Sequence, residues 1–270
     1  MTHSAASTTT GPPQIFERRL YALRRARAKG TTFLVADTAA HLAERIGTLG
    51  RRFERGLDLS SRRESFAELR NSAKQWTRTA LGSIVLPGSE EMLAADEEAM
   101  PFAEQSFDLI TSVLSLHAVN DLPGALFQMR GALKPGGLFI AAMFGGETLK
   151  ELRTAFAAGE SELAGGASPR VAPFADVRDL GALLQRAGFE RPVADAERTI
   201  VRYREFMGLV ADLRAMGENN ALRRRSRKCL RRDILHAVLA DYTTAHSEPE
   251  GRLRATFDVI YLTGWAASES

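Results

Sequence analysis

The stretch that decides the fold runs from Asp96 to Gly146 and reads DEEAMPFAEQSFDLITSVLSLHAVNDLPGALFQMRGALKPGGLFIAAMFGG. Two nearly continuous apolar runs, at 107–114 and 138–143, have the character of buried strands. The segment between them, 122–133, is helical in pattern and is followed by a Pro-Gly-Gly turn. Strands of this kind that alternate with helices are typical of a parallel sheet covered on both faces. The stretch therefore predicts a β–α–β unit of an α/β domain.

The same alternation continues on both sides of this unit. Before it, the pattern predicts helices at 15–28, 33–49 and 62–73, and strands at 55–59 and 83–86. After it, the pattern predicts helices at 147–157, 174–187, 205–216 and 232–245, and strands at 198–203 and 252–262. The predicted fold is therefore an α/β, doubly wound sheet that is mostly parallel.

The chain divides into three predicted parts. Residues 1–13 are small and polar, end in two prolines, and are expected to be disordered. Residues 14–50 are expected to form extra N-terminal helices packed on the core of the main domain, which spans 51–265. A helical insertion at about 204–248 separates the last two predicted strands, and we expect it to act as a lid.

Composition narrows the class of protein. With 270 residues, 44% of them hydrophobic, the chain can bury a core without disulfides, and Cys229 is its single cysteine. A formal net charge of +3 gives no general basis for nucleic-acid binding, so a nucleic-acid partner is not expected. The longest apolar run, near 137–144, is too short for a transmembrane segment, and none is expected.

The N-terminal residues leave two locations open. No apolar segment typical of a secretory signal occurs in residues 1–13, and the expected location is the cytoplasm. However, a start rich in Ser and Thr, without acidic residues and followed by the basic helix 15–28, also weakly fits a mitochondrial transit peptide. The mitochondrial matrix is therefore the alternative.

The first loop of the sheet is unusual for a ligand-binding α/β domain. Such a domain binds its ligand across the carboxyl ends of its strands, and the first loop normally uses glycine so that the backbone can approach the ligand. Here the loop at 58–64 reads DLSSRRE and contains no glycine. The sequence therefore combines a familiar sheet pattern with an altered ligand loop.

Several segments together resemble one family. They are IFERRLYALRRARA at 15–28, ADEEAMPF at 95–102, SFDLITSVLSLHAVNDLPGAL at 106–126, LKPGGLFIAAMFGGETLKELR at 133–153, DLRAMGENNAL at 212–222, and TFDVIYLTGW at 256–265. The chain resembles class I S-adenosylmethionine (SAM)-dependent methyltransferases of the type 11 kind. Within them it is similar to bacterial relatives of the methyltransferase-like assembly factor of mitochondrial respiratory complex I. The resemblance implies a Rossmann-like class I methyltransferase fold with an antiparallel last strand, and SAM as the cofactor.

The resemblance also implies candidate site residues. Asp58 and Ser60 match the first cofactor loop, Asp96 with Glu97 matches the carboxylate that faces adenine, and Ser115 follows the fourth strand. His117 lies where the reacting methyl group would point, and it is the candidate catalytic base because histidine side chains commonly transfer protons near neutral pH. The alternative for His117 is a strand-end histidine bound to Asn120 or Asp121. No metal site is expected.

Departures from the family pattern concern the cofactor. Glycines are expected at Ser60, Arg62 and Glu64, where side chains disfavour positive φ and fill space. The acidic residue expected near 86–89 to bind the ribose is also missing from LPGS. Hydrogen bonds to a charged acceptor contribute about 1.5–3 kcal/mol each, so SAM is expected to bind weakly or not at all.

Three functions are consistent with the sequence, and the first two follow from the resemblance. The first is SAM-dependent methylation of a protein or small-molecule acceptor. The second is a non-catalytic assembly or binding protein on a methyltransferase scaffold, with an iron–sulfur subunit of complex I as the possible partner and arginine modification as the related chemistry. The third is methylation of a nucleic acid, suggested only by basic segments. The basic run at 223–232 is expected to be solvated or to face a partner, and it could bind phosphate or an acidic protein.

Overall fold

The computed structural model describes residues 11–29, 32–59, 62–81 and 92–268, without the side chains of residues 63 and 64. Its strands are β1 (Phe53–Asp58), β2 (Ala73–Ala80), β3 (Met92–Ala94), β4 (Phe107–Val113), β5 (Leu133–Phe144), β6 (Glu190–Tyr203) and β7 (Leu253–Trp265). Its helices are α1 (Arg18–Arg27), α2 (Phe33–Thr48), α3 (Arg63–Leu69), α4 (Leu122–Ala132), α5 (Lys150–Ala164), α6 (Val177–Arg186), α7 (Phe206–Ala215) and α8 (Arg232–His246).

The strands form one twisted sheet in the order β3-β2-β1-β4-β5-β7-β6. The pairs among β1 to β5 are parallel, whereas β7 runs antiparallel to both β5 and β6. From β1 the chain proceeds outward to β2 and β3, and it then returns to the other side of β1 to form β4 and β5. The strand order therefore reverses between β1 and β4. This is the predicted fold, a doubly wound and mostly parallel sheet with an antiparallel last strand.

Hydrophobic side chains cover both faces of the sheet. On one face, α2 packs Leu34, Leu42 and Ile46 into a core that includes residues of β4, β5 and β7. On the other face, α4 and α6 bury the side chains of Leu126 and Leu184. The Asp121 carboxylate accepts a 3.0 Å hydrogen bond from the backbone N–H of Gly124 and caps α4.

The second strand of the sheet differs from the sequence prediction. The expected strand at 83–86 lies outside the described residues, and β2 instead spans Ala73–Ala80, directly after a shorter helix than expected. This segment reads AKQWTRTA, and its many exposed polar side chains hid its pairing with β1. Gly56 of β1 makes room for this strand, because a Cβ there would lie 2.6 Å from the Trp76 ring.

The helical insertion leaves and re-enters the sheet at one edge. It contains α7 and α8 and lies between β6, which ends at Tyr203, and β7, which begins at Leu253. Because β6 runs antiparallel to β7, and β7 antiparallel to β5, β6 points in the same direction as the parallel strands. The insertion, called the lid below, therefore starts at the carboxyl edge, where the ligand of a doubly wound sheet binds.

The N-terminal helix α1 crosses the same edge. Gly217, directly after α7, has a φ of +71°, and a Cβ there would lie 2.9 Å from the Cα of Arg25. Glycine thus allows α1 and the lid to pack backbone against backbone.

The predicted disorder of residues 1–13 falls mostly on residues outside the described part. Within the described ranges, no helix combines the length and the apolar character needed to cross a membrane.

Candidate functional site

Two cavities lie at the carboxyl edge of the sheet, one on each side of a cluster of charged side chains. The first has a volume of about 620 Å³ and is called the Asp96 cavity. It is lined by side chains from α1 and from the ends of β2 and β3, among them Arg18, Leu23, Leu81, Ala95, Asp96 and Pro101. The second, of about 330 Å³, lies under the lid and is called the His117 cavity.

The acidic residues after β3 meet a cation from α1. The guanidinium of Arg18 donates to Asp96 Oδ1 over 2.6 Å and also to Glu97. Glu97 is buried, and its other oxygen accepts a 2.6 Å hydrogen bond from the Ser115 hydroxyl. The Asp96 side chain remains 35% exposed beside its cavity. Three predicted cofactor residues, Asp96, Glu97 and Ser115, are thus brought together, and Arg18 joins them.

The other two predicted cofactor residues lie at the end of β1. Asp58 is fully buried, and the guanidinium Nε of Arg78 lies 3.9 Å from its Oδ2. The backbone oxygen of Asp58 also accepts a hydrogen bond of 3.3 Å from the Thr79 hydroxyl, across the β1–β2 pair. Ser60 lies outside the described residues. Asp58 is therefore placed next to the first loop, in contact with the neighbouring strand.

Arg62, at a position where the resemblance implies glycine, reaches across the point where strand order reverses. Its guanidinium donates to the backbone oxygen of Met216 and, over 3.2 Å, to Glu218 Oε1. Both acceptors belong to the segment after α7, so this side chain ties the loop after β1 to the lid. The side chain thus spans the gap in which a ligand of the first loop would lie.

Glu218 is the centre of the charged cluster. Its Oε1 accepts from the Tyr21 hydroxyl at 3.1 Å, from Arg62 at 3.2 Å and from Arg25 at 3.5 Å. Its Oε2 lies 2.9 Å from His117 Nε2. Burial by itself opposes ionisation of the carboxyl group, but His117, Arg25 and Arg62 outweigh it and hold the pKa of Glu218 below its ordinary value.

Arg25 connects this cluster to the end of β4. Its guanidinium donates to the backbone oxygen of Leu114 over 2.6 Å. Leu114 has a φ of +48°, in the left-handed region that non-glycine residues rarely adopt. Its own N–H is bonded to the Ala142 oxygen at 2.7 Å, so both backbone polar groups of the strained residue are fixed. Such strained positions concentrate at functional sites.

The predicted catalytic residue His117 lies on a short 3-10 turn directly after β4. Its side chain is only 2% exposed and its ring packs against Phe144 and Phe174, at centroid distances of 4.8 and 5.6 Å. The alternative of a bond to Asn120 or Asp121 is wrong, because Asn120 binds the backbone of Phe16 and Asp121 caps α4. His117 instead binds Glu218.

The lid and the loop at 168–170 close the His117 cavity from above. The side-chain amide of Asn220 donates to the Pro169 oxygen over 2.7 Å, which joins the two segments. Arg170 binds the buried carboxylate of Glu160, which also accepts from the Ser168 N–H at 2.6 Å. The lid and this loop together form a roof over the cavity. The cavity walls are mostly apolar and include Phe144, Leu152, Phe174, Leu213 and Phe257.

Sequence reasoning missed Arg18, Arg25 and Glu218 as site residues. All three lie in segments that carry the family resemblance, IFERRLYALRRARA and DLRAMGENNAL, but neither segment adjoins a strand of the sheet. Only the return of α1 and the lid to the carboxyl edge brings them together. A charged residue in a family-specific segment was the available signal.

The basic run at 223–232 lies beside α1. Arg225 binds Glu17 at 2.6 Å, and the backbone N–H of Arg223 donates to the Ile15 oxygen at 2.9 Å. The hydrogen bond from Arg225, helped by the charges of Arg227 and Arg223, lowers the pKa of Glu17. Most other side chains of the run are exposed, which fits the predicted solvated or partner-facing surface.

Among the residues with described side chains, no group of three or more His, Cys, Asp or Glu is arranged to hold a metal ion.

The fold and the two cavities define the class of the protein: it has the class I methyltransferase fold. A "Methyltransferase domain" family profile matches residues 35–141. The human "Arginine-hydroxylase NDUFAF5, mitochondrial" is 37% identical over 278 residues, covering 98% of this chain and 80% of the relative. The chain therefore belongs to the family of methyltransferase-domain proteins that includes NDUFAF5.

Two further comparisons concern enzymes and folds rather than close family members. The malonyl-[acyl-carrier protein] O-methyltransferase of Halorhodospira halophila is 39% identical over 173 residues, covering 64% of this chain and 57% of that protein. The crystal structure of YcgJ from Bacillus subtilis has a TM-score of 0.58 at 13% identity and covers 84% of this chain and 98% of that one. The structural likeness shows the fold alone.

Proposed function

We propose that this protein is an enzyme that binds S-adenosylmethionine at the carboxyl edge of the sheet and methylates an acceptor in the His117 cavity. The observation that carries the proposal is the Asp96 cavity, about 620 Å³ in volume, which persists although the first loop has no glycine. The acceptor is a side chain of a protein or a small molecule, because the second cavity opens under a lid and has apolar walls.

The residues fit the two halves of the cofactor unequally. An adenosine group matches the Asp96 cavity, where a half-exposed carboxylate can accept from the adenine amino group and apolar side chains can contact the ring. The methionine half would lie over the loop after β1, where Arg62 reaches across to Glu218. Binding of the whole cofactor therefore requires Arg62 to move, which supports the expectation of weak affinity.

The chain's own residues would perform positioning more than chemistry. When bound, SAM supplies an electrophilic methyl group, and its transfer depends mainly on alignment with the acceptor. In the proposal, Asp96 binds adenine, while Glu97 and Ser115 hold the loop beside it. Asp58 organises the first loop, and Ser60, which lies outside the described residues, is assigned to the cofactor by the family resemblance alone. His117 accepts a proton from the acceptor, because it is the only histidine among the described residues that lines the second cavity.

Calorimetry tests this proposal directly. SAM and S-adenosylhomocysteine are titrated into the full chain, into Asp96→Ala, and into Asp179→Ala as a matched control from an exposed position on α6. The expected result is binding in the high micromolar range for the wild type and the control, weakened at least tenfold in Asp96→Ala. No heat up to millimolar ligand would refute cofactor binding and leave the assembly-protein function.

A second candidate is modification of an arginine side chain in a partner protein. Two observations favour it: the relatives named arginine hydroxylase cover nearly the whole chain, and Glu218 already binds the guanidinium groups of Arg25 and Arg62. A carboxylate that holds guanidinium groups in a mostly apolar cavity matches the chemistry of an arginine substrate. An iron–sulfur subunit of respiratory complex I is the partner that the family resemblance suggests.

Mass spectrometry separates the two chemistries and the non-catalytic alternative. Arginine peptides are incubated with the protein and SAM, or with the protein, dioxygen and an electron donor. A gain of one methyl group in the first mixture supports methyl transfer, and a gain of one oxygen atom in the second supports hydroxylation. Peptide binding without any change in mass supports an assembly protein. No peptide binding rules out arginine as the target.

The proposed location remains the cytoplasm, with the mitochondrial matrix as the alternative. Relatives whose names include "mitochondrial" match nearly the whole chain, which favours the alternative for a chain of eukaryotic origin. Fractionation of cells that express the tagged full-length chain decides between the two compartments.

A further inference from the structure

The His117 cavity contains one buried histidine–carboxylate pair among mostly apolar walls. His117 Nε2 lies 2.9 Å from Glu218 Oε2, and the histidine side chain is 2% exposed. The second ring nitrogen, Nδ1, is also buried, and it has no hydrogen-bond partner among the residues that the structure describes. A buried polar atom without a partner is unfavourable by about 1–3 kcal/mol, so such an atom in a cavity wall points to a ligand.

Glu218 is held in place independently of His117. Its Oε1 receives three donors, from Tyr21, Arg25 and Arg62, while Oε2 faces His117. Tyr21 stays a neutral hydroxyl donor because burial raises its pKa. These donors come from α1 and from the loop after β1, so two separate elements fix the direction of the carboxylate. The orientation of Oε2 toward the imidazole is therefore a property of the folded chain.

An ionised carboxylate can only accept hydrogen bonds. Since Oε2 is that acceptor, the imidazole nitrogen that faces it must carry the proton. In a neutral imidazole the other nitrogen then has a free lone pair. The geometry thus places an N–H on His117 Nε2 and leaves Nδ1 without a donor among the described residues, in a side chain that lines the cavity.

We propose that Glu218 is a positioning residue that fixes the Nε2–H tautomer of His117, so that Nδ1 accepts a hydrogen bond from the ligand of this cavity. The ligand therefore presents an N–H or O–H donor, as an alcohol, amine or guanidinium group does. A ligand whose head group has only acceptors, such as a carboxylate, is not accommodated there. This proposal rests on the proposed function, because the ligand of this cavity is taken to be the methyl acceptor. It adds the chemical class of that acceptor.

The cavity limits the rest of the ligand as well. Phe144, Phe174 and Phe257 form mostly apolar walls, and the volume of about 330 Å³ suits a short apolar stem that ends in the donor group. The cations near the cluster are engaged with protein acceptors: Arg25 with Leu114 and Glu218, and Arg62 with Met216 and Glu218. Two further arginines line the cavity: Arg170, whose guanidinium binds Glu160, and Arg214, which is exposed to solvent.

The first experiment measures the tautomer itself by ¹⁵N NMR of the imidazole side chains in the full-length protein at neutral pH. The chain has five histidines, and loss of one signal set in His117→Gln assigns the residue. We expect a protonated Nε2 and an unprotonated Nδ1 for His117. A proton on Nδ1, with or without one on Nε2, would overturn the proposal. This measurement uses the wild type and needs no cofactor.

The second experiment tests the class of ligand with two small probes of similar size, ethylguanidinium and propionate. We expect ethylguanidinium to change the ¹⁵N chemical shift of His117 Nδ1 in a saturable way. Propionate should require at least a tenfold higher concentration for the same change. Equal or stronger displacement by propionate would overturn the proposal. The signal of His236, which is exposed on α8, serves as the internal control. Since no SAM is added, failure of cofactor binding and failure of this inference are separate results.

The third experiment changes the carboxylate. Glu218→Gln keeps the shape of the side chain but lets an amide N–H face the imidazole, so His117 should become a mixture of tautomers. Turnover is expected to fall about tenfold or more. Glu218→Gln with an unchanged single Nε2–H tautomer would contradict the positioning role. If this variant fails to fold, the tautomer and probe measurements on the wild type still decide.

Discussion

The Asp96 cavity and the His117 cavity lie at the same edge of the sheet, yet their charged groups are held very differently. The Asp96 carboxylate is 35% exposed and pairs with Arg18 from α1. The Glu218 carboxylate is 10% exposed and binds Tyr21, Arg25, Arg62 and His117. A hydrated carboxylate can exchange one partner for another at little cost, whereas a buried one cannot lose partners without a large penalty.

The difference suggests separate roles for the two sides. The Asp96 side can release Arg18 and accept an adenine amino group, because water already reaches it. The His117 side is preorganised: its histidine, carboxylate and aromatic walls are in place before any ligand enters. The predictions below test this contrast, beginning with the substitution that should have the largest effect.

Replacing Glu218 by alanine should destabilise the protein by about 3–5 kcal/mol, because two buried arginines lose their counter-charge. Unfolding in urea at neutral pH measures the change. The control is Glu104→Ala, which removes an exposed glutamate from the loop before β4. A loss below 1 kcal/mol would mean that the cluster is hydrated and would remove the contrast between the two cavities.

The pH dependence of this contribution has a defined sign. The pKa of Glu218 is lowered from 4.5 in the folded protein, with burial opposed by the hydrogen bond from His117 and by the charges of Arg25 and Arg62. A carboxyl group with a lowered pKa stabilises the fold above its unfolded pKa, and that stability is lost as pH falls through the folded pKa. The difference in unfolding free energy between wild type and Glu218→Gln should therefore be constant at pH 6–7 and shrink below about pH 4.5. A difference that grows in acid would contradict the lowered pKa.

Replacing Arg18 by alanine should cost about 2 kcal/mol of stability, since hydrogen bonds to charged groups contribute roughly 1.5–3 kcal/mol. Glu97 would keep its bond to Ser115 but lose its cation. Arg19→Ala is the matched control, because Arg19 is the next residue of α1 and is exposed. Denaturant unfolding of both variants checks the prediction, and equal losses in the two would show that only helix propensity had changed.

The sheet could be predicted from the sequence where its strands are buried on both faces. β4 and β5 read as continuous apolar runs because helices cover them on each side. β2 could not be recognised, since its sequence AKQWTRTA has Lys74 and Gln75 exposed side by side and only two buried residues, and its pairing with β1 depends on Gly56. Hydrophobic periodicity shows which residues are buried. The strand conformation of β2 depends more on its pairing with β1 than on its own hydrophobic pattern.

The positions of candidate site residues could be predicted only where those residues follow strands. Asp96, Ser115 and His117 could be placed because each follows a strand end that the family pattern identifies. Arg18 comes from α1 and Glu218 from the lid, and the positions of both segments depend on tertiary packing over the sheet. No local pattern specifies that two segments about 200 residues apart will meet at one carboxylate. Long-range contacts between helices of this kind are not readable from a single sequence.

Replacing Arg62 by glycine should strengthen SAM binding about tenfold, equivalent to about 1.4 kcal/mol, because it restores the expected glycine and clears the space across the first loop. Calorimetric titration measures the change. Arg70→Gly is the control, an exposed arginine just after α3 where added glycine should not affect the ligand. Unchanged affinity in Arg62→Gly would show that Arg62 does not occupy the cofactor's place, and weaker affinity would mean that it binds the cofactor.

The smallest effect is expected for an ion pair with the same chemistry in an exposed place. Arg45 binds Asp195 through two hydrogen bonds of 2.7 and 2.6 Å, a geometry better than that of Glu218, but both side chains are more than a third exposed. Asp195→Asn should therefore cost less than 1 kcal/mol, and the loss should disappear at high salt. Urea unfolding at low and high ionic strength provides the measurement. A loss as large as that in Glu218→Ala would mean that geometry, and not burial, decides what a carboxylate contributes in this fold, and the contrast between the two cavities would no longer stand.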